Sequence, residues 1–370
     1  MKSLDKHITS KENLLKFLDD KNFKRILIIT GNNSYSKSGA KKLFQKTVMR
    51  KQINFYFKKS FLPDIHELKR IYLYYKKINP DLIIAIGGGA VLDYAKIVNI
   101  LDDLTNIEKK IKKYSYPIKK KNCKLIAIPT TAGSGAEVTS NAVIYINNVK
   151  YSFEHKLLIP DYFFLIPEFV MKVPKKIKSS SGFDAIAQAM ESIISLKSSN
   201  QSVLFATDSL KLSLKYFPNY LKSPTINNCK YMSIASNLAG KAINISKTTA
   251  PHAVSYPFSS IYNISHGHAV SLTFNKFLKF NFINEKYSIS SFDLKKRYDI
   301  FFKIFKVKNI DDLIFKIDLL KKNAKLENNY KKLGIELDGN VNRFLKDINL
   351  LRLKNNPIQL NKNDIKKIIL

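Results

Sequence analysis

Short apolar runs that stop abruptly at glycine or proline, with helical patterns between them, constrain the first half of this chain most. Lys24–Thr30 (KRILIIT) ends at Gly31, Asp81–Ile86 (DLIIAI) ends at Gly87-Gly88-Gly89, and Lys124–Ile128 runs into Pro129. A β-rich run without polar alternation is a strand covered on both faces. Ile53–Phe57 reads as a further strand. Helical periods fall at about Ser36–Met49, Asp64–Lys77 and Ala90–Ile100. Strands and helices in this alternation make an open, mostly parallel sheet with helices on its faces.

The pattern changes further on. Asn141–Leu165 alternates β-branched and aromatic residues around a hairpin-like Asn147-Asn148. From Pro167 long helical periods dominate: Phe183–Lys197, Ser202–Leu221, Cys229–Ile245 and segments beyond Gly267. At 370 residues the chain exceeds what one core usually serves. The expected class is α/β plus all-α, with an α/β domain over 1–165 and a helical domain over 166–370.

Lysine and arginine number 63 against 29 acids, a formal charge of +34. The lysines are spread along the chain, and the densest run, Glu108–Lys124, lies between two sheet elements as a solvated connection. Aromatics interleaved with arginine for base stacking are missing, so no specific nucleic acid is expected as a partner. The positive field still favours small anionic ligands. No apolar run reaches membrane-spanning length, and MKSLDKHITSKENLLKF lacks the apolar core of a secretory signal. Cys123 and Cys229 form no disulfide framework. These features place the protein in the cytoplasm, with no membrane partner.

Thr248–Asn275 holds no Asp, Glu, Lys or Arg, yet carries three of the six histidines: His252, His266 and His268. A charge-free stretch of this kind reads as buried, and buried imidazoles need partners. Satisfied core histidines are one reading; a metal or catalytic site is the other, favoured by their clustering. Upstream, Asp184 and Gln188 are four apart on a helical pattern and share a face. They could offer two oxygens to one cation, or Asp184 could simply sit near a helix start.

Two further segments follow strands. Gly87-Gly88-Gly89-Ala90-Val91-Leu92-Asp93-Tyr94-Ala95-Lys96 turns into a helix, as a phosphate cradle requires. It is not the GxGxxG fingerprint, and a plain Gly-rich turn is the alternative. Ile128-Pro129-Thr130-Thr131-Ala132-Gly133-Ser134-Gly135-Ala136-Glu137-Val138-Thr139 sets small hydroxylic residues at a strand's carboxyl end, suited to a ligand crevice or to an exposed loop.

In this order and spacing the motifs resemble those of the iron-containing (group III) alcohol dehydrogenase family, which is related in fold to dehydroquinate synthase. GGGAVLDYAK resembles its GGGSxxDxAK loop, PTTAGSGAEVT is similar to PTTAGTGSEVT, and GFDAIAQAMES resembles GxDALxHAxEx. His252–Gly267 resembles the paired-histidine region. The resemblance implies a Rossmann-like N-terminal domain, a helical metal-binding domain and a cleft between them. It implies NAD(H) or NADP(H) and a divalent metal, Fe2+, as cofactors, and a homodimer or larger homo-oligomer.

Carried over residue by residue, Asp184, His252 and His266 fall on metal-ligand positions. Gln188 falls where the general family has a ligand His, and Tyr256 where many members have a further active-site His. Both departures, with AIAQAMES, NLAGKAINISKTTAPHAVSYPF, SHGHAVSLT and YSFEHKLLIPD, resemble the phosphonoacetaldehyde reductase (hydroxyethylphosphonate dehydrogenase) branch. The implied reaction is reduction of that aldehyde in phosphonate metabolism. The alternative is a general dehydrogenase of neutral short-chain aldehydes. In this reading Gly87, Gly88, Gly89 and Asp93 hold the pyrophosphate region, Thr130, Thr131 and Ser134 contact the cofactor, and Lys96 reaches the same cleft. His268 or Tyr256 could relay the proton. Lys241, Lys247 and His155 with Lys156 are candidates for the anionic headgroup.

Overall fold

The computed structural model describes residues 10–47, 52–147, 149–337, 341–346, 348 and 350–370. These divide into two compact units: the chain up to Val173 with Thr225–Ile234, and Pro174–Pro224 with Ala235 onward.

In the first unit, β1 (Arg25–Gly31), β2 (Gln52–Lys58), β3 (Leu82–Gly87), β4 (Lys124–Pro129), β5 (Asn141–Ile146), β6 (Val149–Glu154) and β7 (Tyr162–Phe163) alternate with α1 (Lys11–Asp20), α2 (Asn32–Ser38), α3 (Ala40–Thr47), α4 (Ile65–Ile78), α5 (Gly89–Val98), α6 (Ile107–Lys112) and α7 (Pro167–Met171). Five strands pair in parallel in the order β2-β1-β3-β4-β7. Successive strand residues point to opposite faces. Ile26, Ile28, Ile84, Ile86 and Ile126 therefore pack under Leu14, Leu18, Phe44 and Phe169. Leu27, Ile29, Ile83, Ala85 and Ala127 pack against Leu68, Ile71, Leu92 and Ala95. Both faces are dry, which is why these strands lack polar alternation. At about 1.5–3 kcal/mol for each fully buried aliphatic, the two layers hold the strand ends rigidly.

The strands coincide with the sequence expectation, and one helix differs. The helix expected over Ser36–Met49 is broken at Gly39, whose φ of +94° ends α2 in a left-handed turn before α3 begins. The last residues of that expected helix, and Asn148 of the hairpin turn, lie outside the described residues. β5 and β6 pair antiparallel around Asn147, at φ +51°.

The second unit contains α8 (Lys175–Ile194), α9 (Asn200–Lys222), most of α10 (Ile226–Ser246), α11 (Ala250–Tyr262) and α12 (His266–Ile283), followed by shorter helices through Lys362–Ile369. α8 is buried on every side from Gly182 to Ile194, as expected of a central helix. It begins eight residues before the expected Phe183, because its first turns are polar and hid the period. Asp184 is therefore interior to the helix and does not cap it. Close packing sets its neighbours. A Cβ on Gly182 would lie 2.3 Å from the Phe217 ring, and one on Gly267 would lie 2.0 Å from the Ser180 carbonyl oxygen. The second contact seats the start of α12 directly on α8. No helix among the described residues is long and apolar enough to cross a membrane.

Candidate metal centre and nucleotide cradle

Three helices of the second unit converge on one cluster. Asp184 comes from α8, His252 from the first turn of α11, and His266 opens α12. Each offers one ligand atom, and the three atoms lie within 4.8 Å of one another. His252 Nε2 is 3.2 Å from Asp184 Oδ1, and His266 Nε2 is 3.9 Å from the same oxygen. The imidazoles meet edge to face, with centroids 5.3 Å apart. Asp184 and His252 are buried, whereas the His266 side chain keeps 37% of its exposure and opens the cluster to ligand.

Gln188, one turn after Asp184, donates from Nε2 to Asp184 Oδ2 at 3.0 Å. Its Oε1 is buried with no hydrogen-bond partner. An unpaired buried carbonyl costs about 1–3 kcal/mol, and a cation would satisfy it. The donor set fits a divalent metal: one carboxylate, two imidazoles and one amide oxygen suit a borderline ion such as Fe2+. Asp184, His252, His266 and Gln188 are the residues that could hold it.

A carboxylate overlooked in the sequence completes the cluster. Glu191 is fully buried in α8. Its Oε1 hydrogen-bonds His252 Nδ1, while Oε2 accepts from the Thr249 backbone N–H at 2.7 Å and from Thr249 Oγ1 at 2.9 Å. The signal was available: 184, 188 and 191 are spaced i, i+4 and i+7, a polar stripe on a buried helix segment otherwise made mostly of Ala, Ile and Met. Burial alone works against protonation of His252, but the Glu191 and Asp184 carboxylates outweigh it and push its pKa up to about 9. A proton would therefore compete with a metal for this imidazole.

Tyr256, one turn after His252, has its ring 6.3 Å from that of His266. His268, two residues after His266, is tied to other partners. Its Nε2–H donates to the Glu327 carbonyl at 2.7 Å, its backbone N–H donates to Ser180 Oγ, and burial lowers its pKa. Lys241 sits over the Phe205 ring at 5.9 Å, and Lys247 Nζ donates to the Asn244 carbonyl at 3.3 Å. His155 caps a short turn by accepting from the Leu157 N–H, and Lys156 begins that turn.

The first unit carries a separate constellation. β3 ends at Gly87, and α5 starts at Gly89 with Gly88 as its N-cap. Gly88 and Gly89 face Thr131 and Ser134: added Cβ atoms would lie 3.4 Å from Thr131 Oγ1 and 3.2 Å from Ser134 Oγ. All four residues remain partly exposed. The Thr130 N–H donates to the Gly87 carbonyl at 2.9 Å, locking the two strand ends together. Backbone N–H groups, a helix start and small hydroxyls at the carboxyl ends of parallel strands are what a phosphate needs.

Lys96 does other work than reaching this cradle. Its Nζ, buried, donates to the carbonyls of Ala136 at 2.7 Å and Asn141 at 2.8 Å, and to Thr139 Oγ1 at 3.1 Å. It ties down the loop that carries Thr131 and Ser134. Burial pulls its pKa down to about 8 against the opposing pull of Asp93 and Glu137. Burial raises Asp93 to about 6, despite Lys96 and the Val143 N–H. At the neighbouring strand end, both nearby acids are committed to backbone groups. Glu67 accepts from the Lys59 and Ser60 N–H groups, and Asp64 caps α4 through the Glu67 N–H.

Comparison with known proteins also gives two matches, which meet near the end of the first unit's long N-terminal segment. Residues 8–167 match the iron-containing alcohol dehydrogenase description, and residues 178–370 match the Fe-containing alcohol dehydrogenase family, C-terminal. An aldehyde-alcohol dehydrogenase of Clostridium acetobutylicum is 28% identical over 87% of this chain and 40% of its own length. A 4-hydroxybutyrate dehydrogenase of Clostridium kluyveri is 32% identical over 53% of this chain and 54% of its own length. The chain thus spans about half or less of these curated relatives. The sulfoacetaldehyde reductase of Bifidobacterium kashiwanohense, solved in complex with NAD+, superposes with a TM-score of 0.86 at 24% identity, covering 98% of this chain and 95% of that one. This chain belongs to the iron-containing alcohol dehydrogenase family.

Proposed function

We propose that this protein reduces a small anionic aldehyde with a nicotinamide cofactor, and that the aldehyde is phosphonoacetaldehyde, giving 2-hydroxyethylphosphonate. The convergence of Asp184, His252 and His266, with the unpaired Oε1 of Gln188 beside them, carries the reading. A divalent metal held there, Fe2+ in this proposal, would supply Lewis-acid polarisation of the aldehyde oxygen. Residues 1–165 would bind NAD(H) or NADP(H) through Gly87, Gly88, Gly89, Thr130, Thr131 and Ser134, with Asp93 and Lys96 supporting the loops. Residues 166–370 would bind metal and substrate. The bound nicotinamide would supply the hydride, and a side chain of this protein would give the proton that the product oxygen needs. Tyr256, beside His266, is better placed to give it than His268, whose Nε2–H is held by the Glu327 carbonyl.

An anionic substrate is supported by the +34 charge and by two relatives named for sulfoacetaldehyde and 4-hydroxybutyrate. Gln188 and Tyr256, which depart from the general family, support the phosphonate. Lys241 and Lys247 are the proposed headgroup contacts. The aldehyde-alcohol dehydrogenase relative favours the second reading, a dehydrogenase of neutral short-chain aldehydes. A cytoplasmic homo-oligomer without membrane or nucleic-acid partners accompanies either reading.

Anaerobic oxidation of NADH and NADPH by the Fe(II)-supplied protein decides between them, with phosphonoacetaldehyde, sulfoacetaldehyde and neutral aldehydes of similar size. Preference for the phosphonate supports the proposal. Turnover of neutral aldehydes alone selects the second reading. A Lys241→Ala variant should raise KM for the phosphonate far more than for a neutral aldehyde; equal effects would remove Lys241 from the headgroup site.

A further inference from the structure

Glu191 has no assigned part in the reaction, yet its surroundings are specific. We propose that Glu191 is a positioning residue for metal uptake: it fixes the His252 imidazole so that Nε2, beside Asp184, is presented to the metal. The inference rests on the metal reading above and concerns how this chain prepares the site.

Two features of the geometry carry it. First, the two oxygens of Glu191 do different things. Oε2 is immobilised by the N–H and the hydroxyl of Thr249, the N-cap of α11, while Oε1 is left for His252 Nδ1. Nδ1–H donating to a carboxylate leaves Nε2 as the unprotonated ligand atom, and it orients the ring. Second, a fully buried carboxylate costs several kcal/mol unless it is compensated. Capping α11 alone would be met by a neutral side chain with one acceptor. A charged group there, one imidazole away from Asp184 and His266, is explained by a positive charge that it helps to hold. Without metal, Thr249, Glu191, His252, Asp184 and Gln188 form one hydrogen-bonded string, built from α8, the N-cap of α11 and its first turn, in which His252 Nε2–H faces Asp184 Oδ1; a metal would replace that proton on Nε2, while Nδ1–H stays on Glu191.

The test is metal affinity of the intact chain, measured with Co2+ by chelator competition, together with the visible spectrum of the Co2+ form and the melting temperature of the metal-free form. Glu191→Gln keeps shape but removes the charge and sets an amide NH2 against either Thr249 N–H or His252 Nδ1–H. It is expected to weaken Co2+ binding about 10- to 100-fold and to alter the spectrum. A purely structural Glu191 would lower the melting temperature and leave both affinity and spectrum unchanged, which would overturn the proposal. Should Glu191→Gln not fold, Thr249→Val decides. It keeps the carboxylate and loses one restraint on it, so a several-fold loss of affinity supports the proposal and wild-type affinity overturns it. Failure of the wild-type protein to take up Co2+ would overturn the metal reading itself, and this inference with it.

Discussion

The proposed nucleotide cradle and the proposed metal cluster are built by opposite means. The cradle is made of what side chains leave out: Gly88 and Gly89 expose backbone beside Thr131 and Ser134, and the buried Lys96 braces the loop from behind. Its parts come from two short segments, each following a strand. The cluster is made of side chains that three helices bring together, and a fourth group, Glu191, holds one of them from outside. The cradle should therefore tolerate changes that leave its backbone in place. The cluster should fail whenever a helix shifts by a fraction of an ångström.

Asp184 is where the difference should be largest. It faces His252, His266 and Gln188 at once, with 4% of its surface exposed. Asp184→Ala should abolish metal uptake, read as bound metal per chain, and lower aldehyde reduction at least about a thousandfold, the loss of several kcal/mol of charge stabilisation. Nucleotide binding measured by NADH fluorescence should survive. Loss of both would show that the two constellations do not act independently.

Gly267→Ala tests the packing rather than the ligands. Its Cβ would fall 2.0 Å from a backbone oxygen of α8 and 2.8 Å from the Asp184 Cβ, so α12 must move. Overpacking of this kind costs about 1–3 kcal/mol, or more where backbone resists. His266, next in the chain, would move with it. A lowered melting temperature together with lost metal affinity is expected; a protein of normal stability and affinity would refute the account of how α12 is seated.

Much of this contrast could be read before the fold was seen. The strands were visible because burial on both faces removes polar residues from Leu27, Ile83 and Leu125 alike. The cradle was visible because glycines between a strand and a helix have few other uses. Asp184, His252 and His266 were found through a charge-free run and a resemblance, whereas their convergence depends on packing at Gly182 and Gly267 that no local pattern encodes. Glu191 is harder to read from sequence, because a carboxylate followed by Ser192 on a helix looks like a surface residue until its neighbours are known. Lys96 shows the opposite limit: a lysine near a phosphate loop invites a phosphate, and only the fold shows the three internal oxygens that its ammonium holds.

Lys96→Met should have a moderate effect, and one that depends on pH. Removing the ammonium strands the Ala136 and Asn141 carbonyls, a cost of about 1–3 kcal/mol for each buried acceptor left unpaired. Lys96 has its folded pKa lowered to about 8 from 10.5, so the unfolded chain holds more protons between those values. Stability should then rise with pH from about 8 to 10.5 in the wild type. Asp93, raised to about 6 from 3.8, contributes with the other sign: its stabilising contribution is full below 3.8 and is lost as pH rises through 6. The variant should lose the alkaline rise in chemical denaturation and push Asp93 still higher. A rise that persisted in Lys96→Met would have to come from another group.

Gly88→Ala should have the smallest effect on stability and is the sharpest test of the cradle. Gly88 has φ −78° and ψ −176°, ordinary extended backbone that alanine adopts, and the new Cβ would sit 3.4 Å from Thr131 Oγ1, at normal contact distance. Alanine is a poorer N-cap than glycine by about 1 kcal/mol, so the melting temperature should fall only by a few degrees. The methyl would nevertheless stand in the space where a phosphate must approach the backbone. NADH affinity should fall about tenfold, equivalent to about 1.4 kcal/mol, while metal content stays at the wild-type level. Unchanged affinity would mean that the nucleotide does not approach Gly88. A loss of metal as well would mean that the cradle and the cluster are coupled more tightly than their separate construction implies.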